Sequence, residues 1–209
     1  MSCWNDHFTS SASASLATAR PRESPARLTP VRRAWSHERS PTGKYEWLTP
    51  PELIRALGEF DLDPCAPRHR PWPTAKCHYT LQEDGLRQPW FGRVWLNPPY
   101  GHETPKWLER LAEHGNGIAL IFARTETRMF FRYIWEQAHA ILFLRGRVTF
   151  YNQDGTRPSS SGGAPSCLVA YGQDNAIALA QSGLDGKLVR LSPNPRKNLN
   201  SHRSLQSHV

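Results

Sequence analysis

The sequence predicts an α/β fold on a mostly parallel sheet that an antiparallel hairpin closes. Short apolar runs alternate with helix-like segments through the middle of the chain, as in strand-helix-strand units with right-handed crossovers. The runs at residues 118–123 and 140–144 are continuously apolar, which is typical of strands buried on both faces. Two earlier strands each end in a polar residue and a proline, at Asp63-Pro64 and at Asn97-Pro98.

The first half of this domain has a local signal for each element. Thr49 is predicted to cap a helix that ends at Gly58, because two prolines and a glutamate follow it in the order of a capped helix start. Strands are predicted at residues 60–63 and 93–97, and each is stopped by a proline. Thr104-Pro105 then begins a second helix.

The second half continues the alternation. A helix around Phe130 separates the two apolar strands. Residues 147–151 and 167–171 flank a loop rich in Gly, Ser and Pro, and they are predicted to form the antiparallel closing hairpin. The pattern of residues 176–191 does not distinguish a helix from a strand.

Composition and charge divide the chain into three segments. Residues 1–43 are rich in Ser, Ala, Arg and Pro, carry a net charge of +3, and are predicted to be a disordered basic arm. A transit peptide is the minority interpretation of this arm. The polar segment 192–209 contains Pro193 and Pro195, also carries +3 and is predicted to be a flexible tail. The folded domain is therefore predicted over residues 44–191, which carry only +2 of the total of +8.

The length and the apolar content of the chain exclude some classes of protein. With 209 residues, of which 38% are hydrophobic, the chain can form one domain with a core. Its apolar runs fall far short of the roughly 18 to 20 residues that cross a bilayer, so no membrane span is expected. The basic ends weakly favour a polyanionic partner. The four irregularly spaced cysteines are expected to be reduced thiols in a cytoplasm.

The segment after the strand at residues 93–97 has the strongest chemical signal. Two prolines fix the backbone there and leave the Asn97 amide and the Pro98 carbonyl facing one small space as two acceptors. Two acceptors suit the N–H groups of an exocyclic amine on a planar base, and Tyr100 offers a flat face on which the base can stack. The predicted chemistry is orientation and charge stabilisation, with no general base acting before attack.

Asn97-Pro98-Pro99-Tyr100-Gly101 resembles the catalytic loop of the S-adenosylmethionine-dependent amino-methyltransferases. Three more segments match in the family's order: an amino-terminal cofactor segment at residues 47–52, an acid-proline motif at 63–66 and an acidic turn at 84–86. The combination is similar to the small phage-type Dam-like DNA adenine methyltransferases over about residues 45–172. The resemblance implies an abbreviated Rossmann-like methyltransferase sheet.

The resemblance also implies roles for individual residues. Asn97 and the Pro98 carbonyl would hold the adenine amine of an extruded base, Pro99 would shape the loop, and Tyr100 would stack on the base. The residues expected to bind the cofactor S-adenosylmethionine are Trp47, Thr49, Pro50, Asp63, Pro64, Cys65, Ala66, Asp84 and Gly85. Those expected to bind the DNA substrate are Arg124, Thr127 and Arg147. The resemblance also implies a protein of the bacterial cytoplasm that a phage or prophage encodes, and a monomer is favoured.

Some features depart from the family pattern, and rival functions stay open. About 30 residues separate Asp63 from Asn97 and no G-x-G follows Asp63, so the usual second strand with its ribose-binding acid is shortened or missing. Cys65, His69, Cys77 and His78 have no common zinc spacing, and no metal is predicted.

Two rival functions stay open. One is methylation of an RNA amine or a protein glutamine amide by the same fold. The other is a catalytically silent DNA-binding phage accessory protein that keeps the pocket as a scaffold.

Overall fold

The computed structural model describes residues 47–158 and 163–193. The arm predicted over residues 1–43 lies outside this part of the chain, and so does the predicted tail from residue 194 onward. The described residues contain both strands and helices, as the sequence predicts for an α/β domain, and the two kinds of element alternate from β3 to β5.

The described residues form a seven-stranded sheet with four α-helices. The strands are β1 (Leu62–Asp63), β2 (Cys77–His78), β3 (Val94–Leu96), β4 (Gly117–Phe122), β5 (Ala140–Leu144), β6 (Ser166–Tyr171) and β7 (Gly186–Arg190). The helices are α1 (Pro51–Leu57), α2 (Thr104–His114), α3 (Arg128–Phe130), which a π-helical turn (Phe131–Trp135) continues, and α4 (Gln173–Gln181). No helix among these residues has the length and apolarity that crossing a membrane requires.

The strands lie in the order β2-β1-β3-β4-β6-β5-β7. The first four strands pair in parallel, β1 with both β2 and β3, and β3 with β4. β6 runs antiparallel between β4 and β5, and β7 pairs antiparallel with β5 at the edge. Strands β1 to β5 therefore all point one way, and their carboxyl ends meet at the same edge of the sheet.

The sheet is the central layer of the domain and has helices against both faces. Successive residues of β4 alternate between two clusters of buried side chains: Ala119 and Ile121 in one, Ile118 and Leu120 in the other. Helix α2 and the π-helical turn pack on the first face, and helices α1 and α4 pack on the second. The prediction that β4 is buried on both faces is confirmed.

The predicted closing hairpin is wrong. β6 pairs with β4 and β5 along almost its whole length, whereas residues 147–151 contribute only one bridge, from Tyr151 to Leu48. All six side chains of β6 are buried, and a strand with no exposed face belongs in the middle of a sheet rather than at its edge. The segment that the sequence left undecided forms most of α4 and then β7.

The predicted cap of the first helix is also wrong. Helix α1 begins at Pro51, and its N-cap residue is Pro50, which makes no side-chain hydrogen bond to the helix. Because a proline has no N–H, the two prolines reduce the number of donors that a cap would have to satisfy. The Thr49 hydroxyl is therefore not needed by the helix. The helix ends at Gly58, which has a φ of 84°.

Candidate functional site

A cavity of about 310 Å³ lies at the carboxyl ends of β1 and β3. This size is at the lower end of the range for small-molecule sites. Twelve of the residues that the sequence singles out line it: Trp47, Thr49, Asp63, Pro64, Cys65, Ala66, Asp84, Gly85, Asn97, Pro98, Pro99 and Tyr100. These residues come from four separate segments, and the fold brings the segments together around one space.

Asp63 contributes a buried carboxylate to the cavity and is only 3% exposed. One carboxylate oxygen accepts from the Thr74 hydroxyl at 2.5 Å, and the other accepts from the Cys65 backbone N–H at 3.1 Å. Burial raises the pKa of Asp63 to about 6, although these two hydrogen bonds and the charge of Arg70 act in the opposite direction. Asp63 is therefore an anion at neutral pH that has lost much of its hydration.

Asn97 follows β3 and is oriented by two weak contacts. Its side-chain N–H donates to the Thr49 Oγ1 at 3.3 Å, and its Oδ1 accepts from the Tyr100 hydroxyl at 3.4 Å. Both contacts are long for hydrogen bonds, so Asn97 Oδ1 keeps acceptor capacity toward the cavity. The hydroxyl of Thr49, which the helix does not use, thus helps to orient the asparagine.

The carbonyl groups of the loop after β3 differ in their partners. The Asn97 carbonyl accepts from the Cys65 thiol at 3.2 Å, and the Pro99 carbonyl accepts from the Thr104 hydroxyl at 2.7 Å. The Thr104 oxygen also accepts from the Gly101 N–H at 3.1 Å, so the first residue of α2 fastens the loop. Within the described residues, no hydrogen bond reaches the carbonyl of Pro98, which lines the cavity. An acceptor is left available beside Asn97.

Tyr100 is held by aromatic packing. Its ring stacks on Phe122 with 4.0 Å between centroids and 17° between planes, and Phe150 meets it edge-on at 6.5 Å. Burial raises the pKa of the Tyr100 hydroxyl, so the group stays neutral and can donate to Asn97. One face of the ring is covered by Phe122, and a ligand in the cavity can stack only on the other.

The acidic turn packs directly against the acid-proline segment. A Cβ added at Gly85 would lie 1.8 Å from the Pro64 carbonyl oxygen, so only glycine allows this approach. The Gly85 carbonyl accepts from the Trp90 indole N–H at 2.8 Å. Asp84 has a positive φ of 52°, and its carboxylate forms an exposed ion pair with Arg87 at 3.2 Å.

Four predicted site residues lie outside the cavity lining. Pro50 is the N-cap residue of α1, and Arg124 is half-buried just after β4. Thr127 is the N-cap of α3, where its hydroxyl oxygen accepts from the Phe130 N–H at 3.3 Å and donates to the Arg124 carbonyl at 2.8 Å. Arg147 is exposed and donates to the Gly163 carbonyl at 3.5 Å. The predicted roles of these residues stay predictions.

Sequence reasoning missed cavity-lining residues in the loop before β2 and just after that strand. Arg70, Trp72 and Thr74 line the cavity, and the Trp72 indole N–H donates to the Thr49 carbonyl at 3.0 Å. Leu81 also lines the cavity although it is 90% exposed. This segment has no helix or strand period that could predict which of its side chains face inward. The dense prolines and charges of residues 67–76 were its only signal.

The described residues contain no cluster of three or more metal-ligating side chains. The Cys65 thiol donates to the Asn97 carbonyl, and His78 Nε2 accepts from the backbone N–H groups of Thr74 and Ala75, both at 3.3 Å. Burial lowers the pKa of His78 to about 4, which is consistent with a neutral ring that accepts these bonds. Cys65 and His78 therefore each have a hydrogen-bond partner within the protein.

The parallel strands end around one cavity, which is the position where open α/β sheets generally bind their ligands. A family model described as DNA N-6-adenine-methyltransferase (Dam) matches residues 37–181, which is more than half of the chain. The chain belongs to this family of DNA methyltransferases. Neither the curated proteins nor the solved structures contain a significant match to it.

Proposed function

We propose that this protein transfers a methyl group from S-adenosylmethionine to N6 of adenine in DNA. Membership of the Dam family indicates a DNA adenine methyltransferase in general. The observation that carries the specific proposal is the cavity that Asp63, Thr49, Asn97 and Pro98 line together. This arrangement supports a site for a cationic ligand beside a pair of acceptors for an amine.

The lining residues fit S-adenosylmethionine. Asp63 is a buried carboxylate that suits the ammonium group of the amino-acid end. Trp47, Trp72 and Tyr100 place aromatic rings around the same space, and aromatic faces attract a sulfonium cation as they attract other cations. Pro64 to Ala66 and Gly85 would also bound the cofactor, and Asp84 would contact its adenine. When bound, the cofactor supplies an electrophilic methyl group on sulfur.

The chain's own residues would hold and orient the acceptor. Asn97 Oδ1 and the free Pro98 carbonyl would accept the two N–H bonds of the adenine amine. Both are hydrogen-bond acceptors, so they favour the pyramidal nitrogen whose lone pair is available for attack. This contribution is positioning and electrostatic stabilisation, and no residue needs to remove a proton before attack.

The target base would stack on the exposed face of Tyr100, since Phe122 covers the other face. A base inside a duplex cannot reach this position, so the adenine must be extruded. Arg124 and Arg147 follow the carboxyl ends of β4 and β5, which lie at the same edge of the sheet as the cavity. From there they would contact phosphates of the DNA backbone.

The decisive experiment is methyl transfer from labelled S-adenosylmethionine to DNA, RNA and protein, measured in parallel with the full chain. We expect label in DNA, and nucleoside mass spectrometry of the digested product should identify N6-methyladenine. Label that enters only RNA or a protein glutamine would replace the proposal with the corresponding rival. Calorimetry that detects no cofactor binding would instead favour the catalytically silent DNA-binding protein.

A further inference from the structure

The cavity is lined by three charged side chains, and they are not equivalent. Asp84 is exposed and paired with Arg87 at the surface. Asp63 is buried at the end of β1. Arg70 is the one cationic side chain among the described residues that line the cavity. The inner charges are therefore one carboxylate and one guanidinium.

Arg70 has much unused hydrogen-bonding capacity. Its Nη1 donates to the Pro67 carbonyl at 2.8 Å, which fixes the side chain across its own loop. It forms no ion pair within the described part of the chain. A guanidinium carries five N–H donors in a planar fork, so several remain for a ligand. The group is half-buried, which strengthens its interaction with an anion compared with a fully hydrated lysine or arginine.

The charge of Arg70 acts on Asp63, which lines the same cavity. The positive charge of Arg70 lowers the pKa of the Asp63 carboxylate, against the larger effect of burial. The two groups nevertheless make no direct ion pair, and Asp63 is instead bonded to Thr74 and Cys65. A carboxylate and a guanidinium that line one cavity without pairing match a ligand that carries an ammonium and a carboxylate on the same carbon.

We propose that Arg70 binds the α-carboxylate of S-adenosylmethionine, while Asp63 binds the neighbouring ammonium. This inference rests on the proposed function and adds the residue that distinguishes an amino-acid end from a simple amine. The planar fork of an arginine suits the two oxygens of a carboxylate. Arg70 is thus a cofactor-specificity residue that lies outside the four segments that match the family's motifs.

The test compares two ligands by calorimetry on the full chain: S-adenosylmethionine and its decarboxylated analogue, which keeps the ammonium and the sulfonium. The wild-type protein should prefer S-adenosylmethionine by about 10- to 100-fold, the range expected for a charge-assisted hydrogen bond. Arg70→Gln should weaken S-adenosylmethionine binding by that factor and change the affinity for the analogue by less than about twofold.

The matched control is Arg68→Gln, because Arg68 is an exposed arginine of the same loop that does not line the cavity. This variant should retain the full preference. Arg70→Lys keeps the charge and loses the fork, so it should retain part of the preference. Thermal unfolding followed by circular dichroism checks that each variant is folded, and binding of the analogue provides a second check for the site itself.

Each other outcome overturns the inference in a recognisable way. Equal weakening of both ligands by Arg70→Gln would show that Arg70 only supports the loop. An unchanged preference combined with weaker binding of duplex DNA would make Arg70 a phosphate contact. If the wild-type protein binds neither ligand, the proposed function fails and the role of Arg70 fails with it. If it binds both equally well, the proposed function survives and only the role of Arg70 is lost.

Discussion

The two halves of the sheet are built differently. Strands β1, β2 and β3 have only two or three residues each, whereas β4, β5, β6 and β7 have five or six. The short strands cannot hold their connecting loops by backbone pairing alone, because each contributes few ladder hydrogen bonds. The long strands pair along their whole lengths, β4 with β6 and β5 with β7.

Side chains hold the first half together in place of a long ladder. Arg93 donates to the carbonyls of Leu57 and Glu59 and to Asn175, and its guanidinium lies 4.3 Å from the Phe60 ring. Arg110 of α2 donates to the carbonyls of Leu86 and Gln88 and so fixes the acidic turn.

The cavity lies in this first half of the sheet, where side chains hold the loops in place. Polar groups at the ends of short strands are left free to face a ligand, because neighbouring side chains rather than ladder partners hold their loops. Substitutions in the first half should therefore change binding and turnover, and substitutions in the second half should change stability.

The largest expected effect is on stability, from Leu168→Ala in β6. Leu168 is fully buried between Leu120 and Leu142 of the neighbouring strands. Removing most of its side chain should lower the free energy of unfolding by about 2 to 5 kcal/mol, because the surrounding strands cannot close the space. Chemical denaturation measures this loss. Turnover per folded molecule should be unchanged, and a large fall in turnover would show that the two halves are not separable in this way.

The next effect is on turnover, from Asn97→Ala. Loss of one positioned polar group should lower turnover by about 10²- to 10³-fold. Cofactor affinity by calorimetry should be nearly unchanged, and so should the midpoint of thermal unfolding, since the two contacts of the side chain are long.

Asn116→Ala is the matched control. Asn116 precedes β4 at the opposite edge of the sheet and bonds to Gly92 and Asn175 there. Its loss should spare turnover. Wild-type turnover in Asn97→Ala would remove Asn97 from the proposed chemistry.

Sequence patterns predicted the elements whose signals are local. The prolines after Asp63 and Asn97 mark the ends of β1 and β3, and the apolar run of β4 marks a strand with two buried faces. The position of β6 could not be predicted in this way. Its apolar run fits any buried strand, and only its pairing with both β4 and β5 decides its place.

The site was predictable where residues sit next to strand ends or in a recognisable motif. Thr74 and Arg70 lie in irregular backbone, where no periodicity relates sequence position to direction. Thr49 shows a different difficulty. A threonine before two prolines has the pattern of a helix cap, but its hydroxyl contacts Asn97, a residue 48 positions away in the chain. Such long-range partners follow from the fold and not from neighbouring residues.

The smallest expected effect is a pH dependence of cofactor affinity that Asp63 controls. Burial raises the pKa of Asp63 to about 6, and only the ionised carboxylate attracts an ammonium. Affinity should therefore be nearly constant above pH 7 and about tenfold weaker at pH 5, since the ionised fraction of Asp63 falls about tenfold per pH unit below the pKa. Calorimetry from pH 5 to 8 measures this. His78 does not interfere, because its pKa is lowered to about 4.

Stability of the unliganded protein should respond to pH in the opposite direction. Because the folded-state pKa of Asp63 lies above the unfolded value of 3.8, its protonation stabilises the fold below about pH 4, and this contribution is lost as the pH rises through 6. Two substitutions at Thr74 test whether Asp63 controls the affinity. Thr74→Val removes a hydrogen bond that lowers the pKa of Asp63, so the midpoint of the affinity curve should move to higher pH. Thr74→Ser keeps a hydroxyl and should restore the wild-type midpoint. Asp63→Asn should abolish both pH dependences. An affinity curve that keeps its midpoint in Thr74→Val would mean that another group controls the titration, and the ammonium would then have to bind elsewhere.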